Sequence, residues 1–206
     1  KTDMSGFVTN PMDKAEASKV AIFSVADFAW NMKAFDSKKS WMRAIQEVMS
    51  DVADSYQLFS SHNTDPGPSY HQYRRLESEV ISADLEILLK EVEKINQLPY
   101  QFENLDFSKL RTEFSKFAPA SNDILNNSTN KNLVKEIKPW LLHFATLGEA
   151  SLAALDLLKA QDDQTAYSYF LKLQEKRNQL IFIDQNNNRN PYQPGIVTGS
   201  RHILPF

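Results

Sequence analysis

Residues 9–31 read TNPMDKAEASKVAIFSVADFAWN, and this stretch decides the fold. From Val20 to Trp30, nine of eleven residues are apolar, and only Ser24 and Asp27 interrupt them. A helix that is apolar nearly all round has to be covered on nearly all sides. A bundle formed by the rest of the chain can cover one side, so the sequence predicts a second layer of protein on the other side.

The residues just before this helix indicate what the second layer is. Residues 6–9, GFVT, form a short apolar run that is typical of a buried parallel strand. Asn10 is a good N-cap and Pro11 suits the first helical position, so a helix is predicted from Pro11 to Trp30. A strand followed by a helix is one βα unit, and in (β/α)8 barrels the chemistry lies at the C-terminal ends of the strands. Asn10 then lies at an active-site rim; the alternative is that it only caps the helix.

Five further helices are predicted, because apolar residues recur every three or four positions. Pro119 should end or kink the fourth helix of the chain, and Pro139 should kink the fifth. Helices with a narrow apolar stripe on one side and polar residues on the other are typical of an antiparallel bundle. The predicted fold class is therefore mainly α, an antiparallel bundle of about five to six helices preceded by a βα unit. The five further helices are expected over about 37–60, 75–97, 106–119, 132–160 and 163–185.

Composition excludes several classes of function. The 206 residues carry a net charge of −3, which gives no basic field for nucleic acid or an anionic membrane. Unbroken apolar stretches stay far below the roughly 18–20 residues that span a bilayer, so no membrane span is predicted. The absence of cysteine excludes disulfides and thiolate zinc sites. The chain begins at Lys1 without a signal-peptide pattern, so we expect a piece of a longer protein.

Two small clusters of polar residues are candidates for catalytic or metal sites. His62, Asp65 and His71 share one loop, but their spacing matches no metal motif, so an ordered loop without a metal is predicted. Asp162 and Asp163 are adjacent, but they precede a predicted helix, where aspartate acts as a cap. We therefore predict no metal site, no cofactor and no catalytic residue in this chain.

The three tryptophans, Trp30, Trp41 and Trp140, are a further candidate because aromatic rings stack on sugars. Each falls at an apolar helical position, so packing in the core is the favoured prediction.

Three stretches carry a resemblance to a known family. TNPMDKAEASKVAIFSVADFAWN, then SWMRAI at 40–45 and HNTDPGPSYHQYRRLES at 62–78, resemble the C-terminal part of family 84 glycoside hydrolases. These are bacterial β-N-acetylglucosaminidases related to O-GlcNAcase and to clostridial hyaluronidases. The resemblance implies that residues 1–31 end the catalytic barrel with its last βα unit and that residues 32–185 form a helical bundle. Residues 186–206, which include NPYQPG, would be a linker and the start of a following domain.

The resemblance also implies an activity for the intact enzyme. Family members hydrolyse β-linked N-acetylglucosamine by a substrate-assisted, retaining mechanism that needs two neighbouring aspartates. In the family this pair lies upstream of the Asn-Pro element and so outside this chain, and the fragment alone is expected to be inactive. The Asn of that element hydrogen-bonds sugar hydroxyls, a role that maps onto Asn10.

Partners and location follow from the same resemblance. The expected partner is a glycan or glycoprotein bearing N-acetylglucosamine, and a homodimer is a further possibility. The expected location is extracytoplasmic in a bacterium: periplasmic, surface or secreted. The alternative is a non-enzymatic helical module that holds a peptide or partner helix in a groove between its third to sixth helices.

Overall fold

The fold is mainly α, as the sequence predicts. The computed structural model describes residues 14–63, 106–187, 195–196 and 198–199, and no strand occurs among them. The predicted strand at 6–9 and the predicted helix at 75–97 lie outside these ranges. The described helices are α1 (Ala15–Trp30), α2 (Ser37–Met49), α3 (Ala53–Ser61), α4 (Ser108–Phe114), α5 (Phe117–Asn127), α6 (Lys131–Leu158) and α7 (Asp163–Asn187).

Helix α6 is the central element of the bundle. It packs against α1, α4, α5 and α7, and half of its 28 residues are buried. Among the described helices it alone is long and apolar enough to cross a membrane. Its burial inside the bundle accounts for its apolar character.

Aromatic rings form the middle of the core. Phe117 stacks on Phe144 with ring centroids 4.1 Å apart, and Phe59 meets Phe144 edge-on at 5.5 Å. Gly148 lets α6 approach this cluster, because a Cβ atom there would lie 2.7 Å from Phe117 Cβ and 2.9 Å from the Phe114 carbonyl oxygen. Glycine at position 148 is therefore a packing requirement.

The helix predicted over 37–60 is interrupted. A 3₁₀ turn at Ser50–Val52 separates α2 from α3. The loop between α5 and α6 causes the break: the Asn130 amide donates to the Val48 carbonyl at 3.2 Å, and the Thr129 N–H donates to the Asp51 carboxylate. The Val48 carbonyl accepts from the Asn130 side chain, so it keeps a hydrogen bond although the backbone leaves the regular helical pattern here.

The prediction that Pro119 ends or kinks a helix is wrong. Helix α4 ends at Phe114, and α5 begins at Phe117 and continues to Asn127, so the loop predicted after Pro119 is helical. Pro119 is the third residue of α5, where a missing N–H costs nothing because the first N–H groups of a helix have no partner within the helix. Ile124 is fully buried in that segment.

The last two predicted helices agree with the structure to within two residues at each end. Helix α6 begins next to its N-cap Asn130, whose side chain accepts from the Leu133 N–H. Asp162 caps α7 through an Oδ1 that accepts from the Thr165 N–H at 2.8 Å. This hydrogen bond holds the pKa of Asp162 below its usual value, and the cap explains the adjacent aspartates without a catalytic role.

The polar segment after α7 is anchored to the bundle at its described positions. Ile196 and Thr198 are buried, and the Ile196 N–H donates to Asp184 Oδ1 at 2.7 Å. Gly195 lies so close to Asp184 that a Cβ atom would come within 2.3 Å of Oδ1. These described positions therefore pack against the bundle.

Candidate functional site

The position at which α1 begins tests whether Asn10, the one binding-site residue that the sequence predicts, caps this helix. The helix begins at Ala15, and Lys14 precedes it with extended backbone, φ −93° and ψ 100°. Asn10 is therefore not the N-cap of α1, which corrects that reading. Asn10 itself lies outside the described residues, so its contact with a sugar stays a prediction.

The first turn of α1 is capped from another helix. Glu136 of α6 accepts hydrogen bonds at Oε2 from the N–H groups of Glu16 and Ala17, at 2.9 and 3.1 Å. Lys14 makes no side-chain cap of its own. A carboxylate at a helix N-terminus satisfies free donors and lies at the positive end of the helix dipole. Glu136 thus fixes the start of α1 against α6.

One side of α1 packs on the bundle. Ala17 and Val20 lie against the hydrophobic core. Further along, Ser24 Oγ meets Ser40 Oγ of α2 at 3.4 Å, and Asp27 forms an ion pair with Arg43. Polar contacts therefore hold the second half of α1 in place.

The other side of α1 is only partly covered in the described part of the chain. Its large apolar residues are exposed to 42% at Ile22, 36% at Val25, 43% at Phe28 and 93% at Trp30. We call these four residues the outer face of α1. Ser18 is the one fully buried residue of the helix. The predicted bare side is thus present, although the prediction that Trp30 packs in the core is wrong.

The other two tryptophans behave as predicted. Trp41 and Trp140 are half-buried and pack against the core.

An open cleft of about 590 Å³ lies at the start of α1, between α6 and the end of α7. Two lysines and two glutamates line it: Lys14, Lys135, Glu16 and Glu136. Their formal charges cancel. Trp140 forms part of an apolar wall, and Asn132 and Asn187 supply amide groups. No sequence pattern predicts this cleft, because folding brings its walls together from residues 14–16, 132–140, 187 and 196.

The candidate histidine loop is structural where it is described. His62 is buried at the end of α3, and its Nε2 lies 2.9 Å from Glu113 Oε1. Lys116 contacts the other oxygen of Glu113 at 2.6 Å. Burial raises the pKa of Glu113, but hydrogen bonds from His62 and Lys116 outweigh it, so the net shift is downward. Asp65 and His71 lie outside the described residues. Within the described residues, no cluster of three possible metal ligands occurs.

A second buried histidine joins the anchored segment to α6. His143 Nδ1 lies 2.6 Å from Thr198 Oγ1. Burial lowers the pKa of His143 to about 4, against an opposing effect of the Asp184 charge. The imidazole is therefore neutral at physiological pH and ties two segments of the bundle together.

Two family models match this chain, one in its N-terminal part and one over the remainder of the helical region. A family model described as the bacterial GH84 post-catalytic domain matches residues 77–206, and a beta-N-acetylglucosaminidase model matches residues 1–61. The chain belongs to glycoside hydrolase family 84. This confirms the resemblance found in the sequence. The chain thus joins a β-N-acetylglucosaminidase region to the post-catalytic bundle of the family.

Two solved structures of this family share the fold. The structure of CpGH84D matches with a TM-score of 0.75 and 28% identity, over 99% of this chain and 34% of that one. The structure of CpGH84B matches with a TM-score of 0.66 and 24% identity, over 88% of this chain and 31% of that one. The chain spans about a third of the length of the structures it matches.

Proposed function

We propose that this chain closes the catalytic barrel of a β-N-acetylglucosaminidase and links it to a helical bundle. In this proposal residues 1–31 supply the last βα unit, residues 32–185 the bundle, and residues 186–206 the connection to a following domain. The intact enzyme removes β-linked N-acetylglucosamine from glycans or glycoproteins by the substrate-assisted, retaining mechanism of the family.

The observation that supports this proposal most is the outer face of α1. Its four large apolar side chains are exposed while the opposite side packs on α2 and α6. A helix in this situation gains stability when a second layer removes those side chains from water, at about 25 cal/mol for each Å² covered. The helices of a (β/α)8 barrel meet this condition, since each packs against the sheet inside it.

The role proposed for Asn10 is to hold the sugar. It would directly follow the last strand, at the end of the barrel where substrates bind. Its amide offers both a donor and an acceptor, which suits the paired hydroxyls of a pyranose.

The test measures the intact protein on a chromogenic N-acetylglucosaminide. Asn10→Ala should lower kcat/KM by about 5- to 150-fold, the effect of losing about 1–3 kcal/mol of transition-state binding. Asn126→Ala, which removes an exposed amide from α5, is the matched control and should leave kcat/KM unchanged. Full activity of Asn10→Ala would mean that Asn10 does not hold the sugar.

The same assay decides between enzyme and binding module. If the intact protein turns over no N-acetylglucosaminide, the helical binding module becomes the better proposal. Cell fractionation and light scattering test the two remaining proposals, an extracytoplasmic location in a bacterium and a homodimer.

A further inference from the structure

We propose that the cleft at the start of α1 binds the part of an uncharged glycan that extends beyond the sugar at Asn10. This inference rests on the proposed function, and it assigns the cleft a ligand class and a role in selecting extended substrates. In this proposal the helical bundle contributes directly to substrate binding as well as to the architecture of the enzyme.

The chemistry of the lining favours an uncharged, polar ligand. The lining carries two lysines, Lys14 and Lys135, and two glutamates, so its formal charges sum to zero and do not favour a phosphate or a nucleic acid. Of the two glutamates, Glu16 is already paired with Lys19 at 2.6 Å. Lysine, carboxylate and amide groups together provide both donors and acceptors for hydroxyl groups. At about 590 Å³ the cleft falls within the range of small-molecule sites.

An apolar wall completes the match to a sugar. The indole of Trp140 lines the cleft and also packs against the hydrophobic core, so its orientation is fixed. Pro139 and Ile196 lie beside it. A pyranose ring presents C–H groups on one face and hydroxyls around its edge, so it fits a site with one apolar wall and a polar rim.

The cleft is held in shape by contacts that do not depend on a ligand. Glu136 is fixed by its two hydrogen bonds to the first turn of α1. Ile196 is buried, and its N–H is bound to Asp184. A preformed site loses less conformational entropy on binding, so even a few hydrogen bonds can give measurable affinity.

The cleft lies within short reach of Asn10. Four peptide units separate Asn10 from Lys14, so their Cα atoms are at most about 14 Å apart, whatever the conformation between them. An N-terminal helix end in a barrel also lies on the same side as the C-terminal strand ends. A glycan bound at Asn10 could therefore extend into the cleft without leaving the surface.

The experiment compares a long and a short ligand on the intact protein. Hydrolysis of an aryl N-acetylglucosaminide is inhibited with either free N-acetylglucosamine or a β-linked tetrasaccharide of N-acetylglucosamine. The double variant Asn132→Ala/Lys135→Ala changes two exposed residues of the cleft, and Lys138→Ala changes an exposed lysine of the same helix outside it. Trp140→Phe tests the apolar wall while keeping an aromatic ring in the core.

In the unaltered protein the tetrasaccharide should bind more tightly than the monosaccharide. The double variant should weaken tetrasaccharide inhibition by about tenfold, the effect of two lost hydrogen bonds, and leave monosaccharide inhibition unchanged. Trp140→Phe should act in the same direction, and Lys138→Ala should change neither constant. Equal weakening of both inhibitors, or no weakening of the tetrasaccharide, would overturn the inference.

Failure of the proposed function gives a different result. In that case no aryl glycoside is hydrolysed, and calorimetric titration of the intact protein with the same tetrasaccharide tests the cleft by itself. Binding that the double variant loses and Lys138→Ala keeps would support a glycan site. Absence of binding to the unaltered protein would overturn it.

Discussion

Helices α1 and α6 are both rich in apolar residues, but they use them in opposite ways. Half of α6 is buried, and its aromatic and aliphatic side chains meet those of four other helices. In α1 only Ser18 is buried, while the outer face is exposed and polar contacts hold the second half in place. An apolar sequence thus shows that a helix needs covering, whereas only the structure shows which of its sides this chain covers.

The largest expected effect comes from truncating an aromatic residue in each helix. Phe144→Ala should lower the free energy of unfolding by about 3–5 kcal/mol, because it removes the ring that Phe117 stacks on and leaves a cavity. Phe28→Ala in the same chain should cost no more than about 1 kcal/mol, since this ring is 43% exposed. Urea denaturation measures both. Equal losses would show that α1 is covered as fully as α6.

Acid should weaken the core through His143. Its pKa is about 4 in the folded chain and near 6.5 when unfolded, so between these values the unfolded state binds more protons. Stability then rises with pH through this window, with an upper bound of about 3 kcal/mol, and levels off above it. Urea denaturation at several pH values measures the slope.

His143→Gln is the control for this effect. Its amide can still hydrogen-bond Thr198 but does not titrate between pH 4 and 6.5. If the variant keeps the full slope, the pH dependence comes from another group.

Gly148→Ala tests how closely the core is packed around α6. The new methyl group would meet Phe117 Cβ at 2.7 Å and Phe114 backbone at 2.9 Å, so we expect a loss of about 1–2 kcal/mol. In open space the same change would stabilise a helix by up to about 1 kcal/mol. A lower thermal unfolding temperature for Gly148→Ala would show close packing around α6, and a higher one would show open space at this position.

The smallest expected effect concerns the cap of α1. Glu136→Ala removes the acceptor for two N–H groups of the first turn and should cost about 1 kcal/mol, confined to α1. Hydrogen exchange should become about fivefold faster at residues 16–20, with α5 and α6 unchanged. Glu149→Ala, which removes the α6 partner of Lys176 on α7, is the control. Faster exchange throughout the bundle would argue against a local cap.

Sequence periodicity predicted the longest helices well and their interruptions poorly. Helices α6 and α7 have long regular stripes and side-chain caps close to their ends, so local information was sufficient for them. The break at Ser50–Val52 depends on Thr129 and Asn130, nearly eighty residues away. Proline usually ends a helix, so Pro119 predicts no helix here, although its position in the first turn of α5 makes it compatible with the helix.

The candidate site could be predicted only in part. Local sequence predicts the bare side of α1, because this side depends on neighbouring residues. Asn10 lies outside the described residues, and its role stays a prediction. Glu136 and the cleft depend on segments brought together by folding, and an isolated glutamate in a helix gives no sign that it caps another helix. Contacts of this kind are set by tertiary structure and leave no periodic pattern.

The position of Glu136 has a consequence for the order in which the molecule assembles. The acceptor that completes the first turn of α1 lies 120 residues further along the chain. On a ribosome, α1 emerges long before that carboxylate exists, so its first turn has to wait for α6 to be synthesised and docked. We expect α1 to acquire its full native hydrogen bonding late in folding, with φ-values near zero at its N-terminus and higher values in the aromatic core.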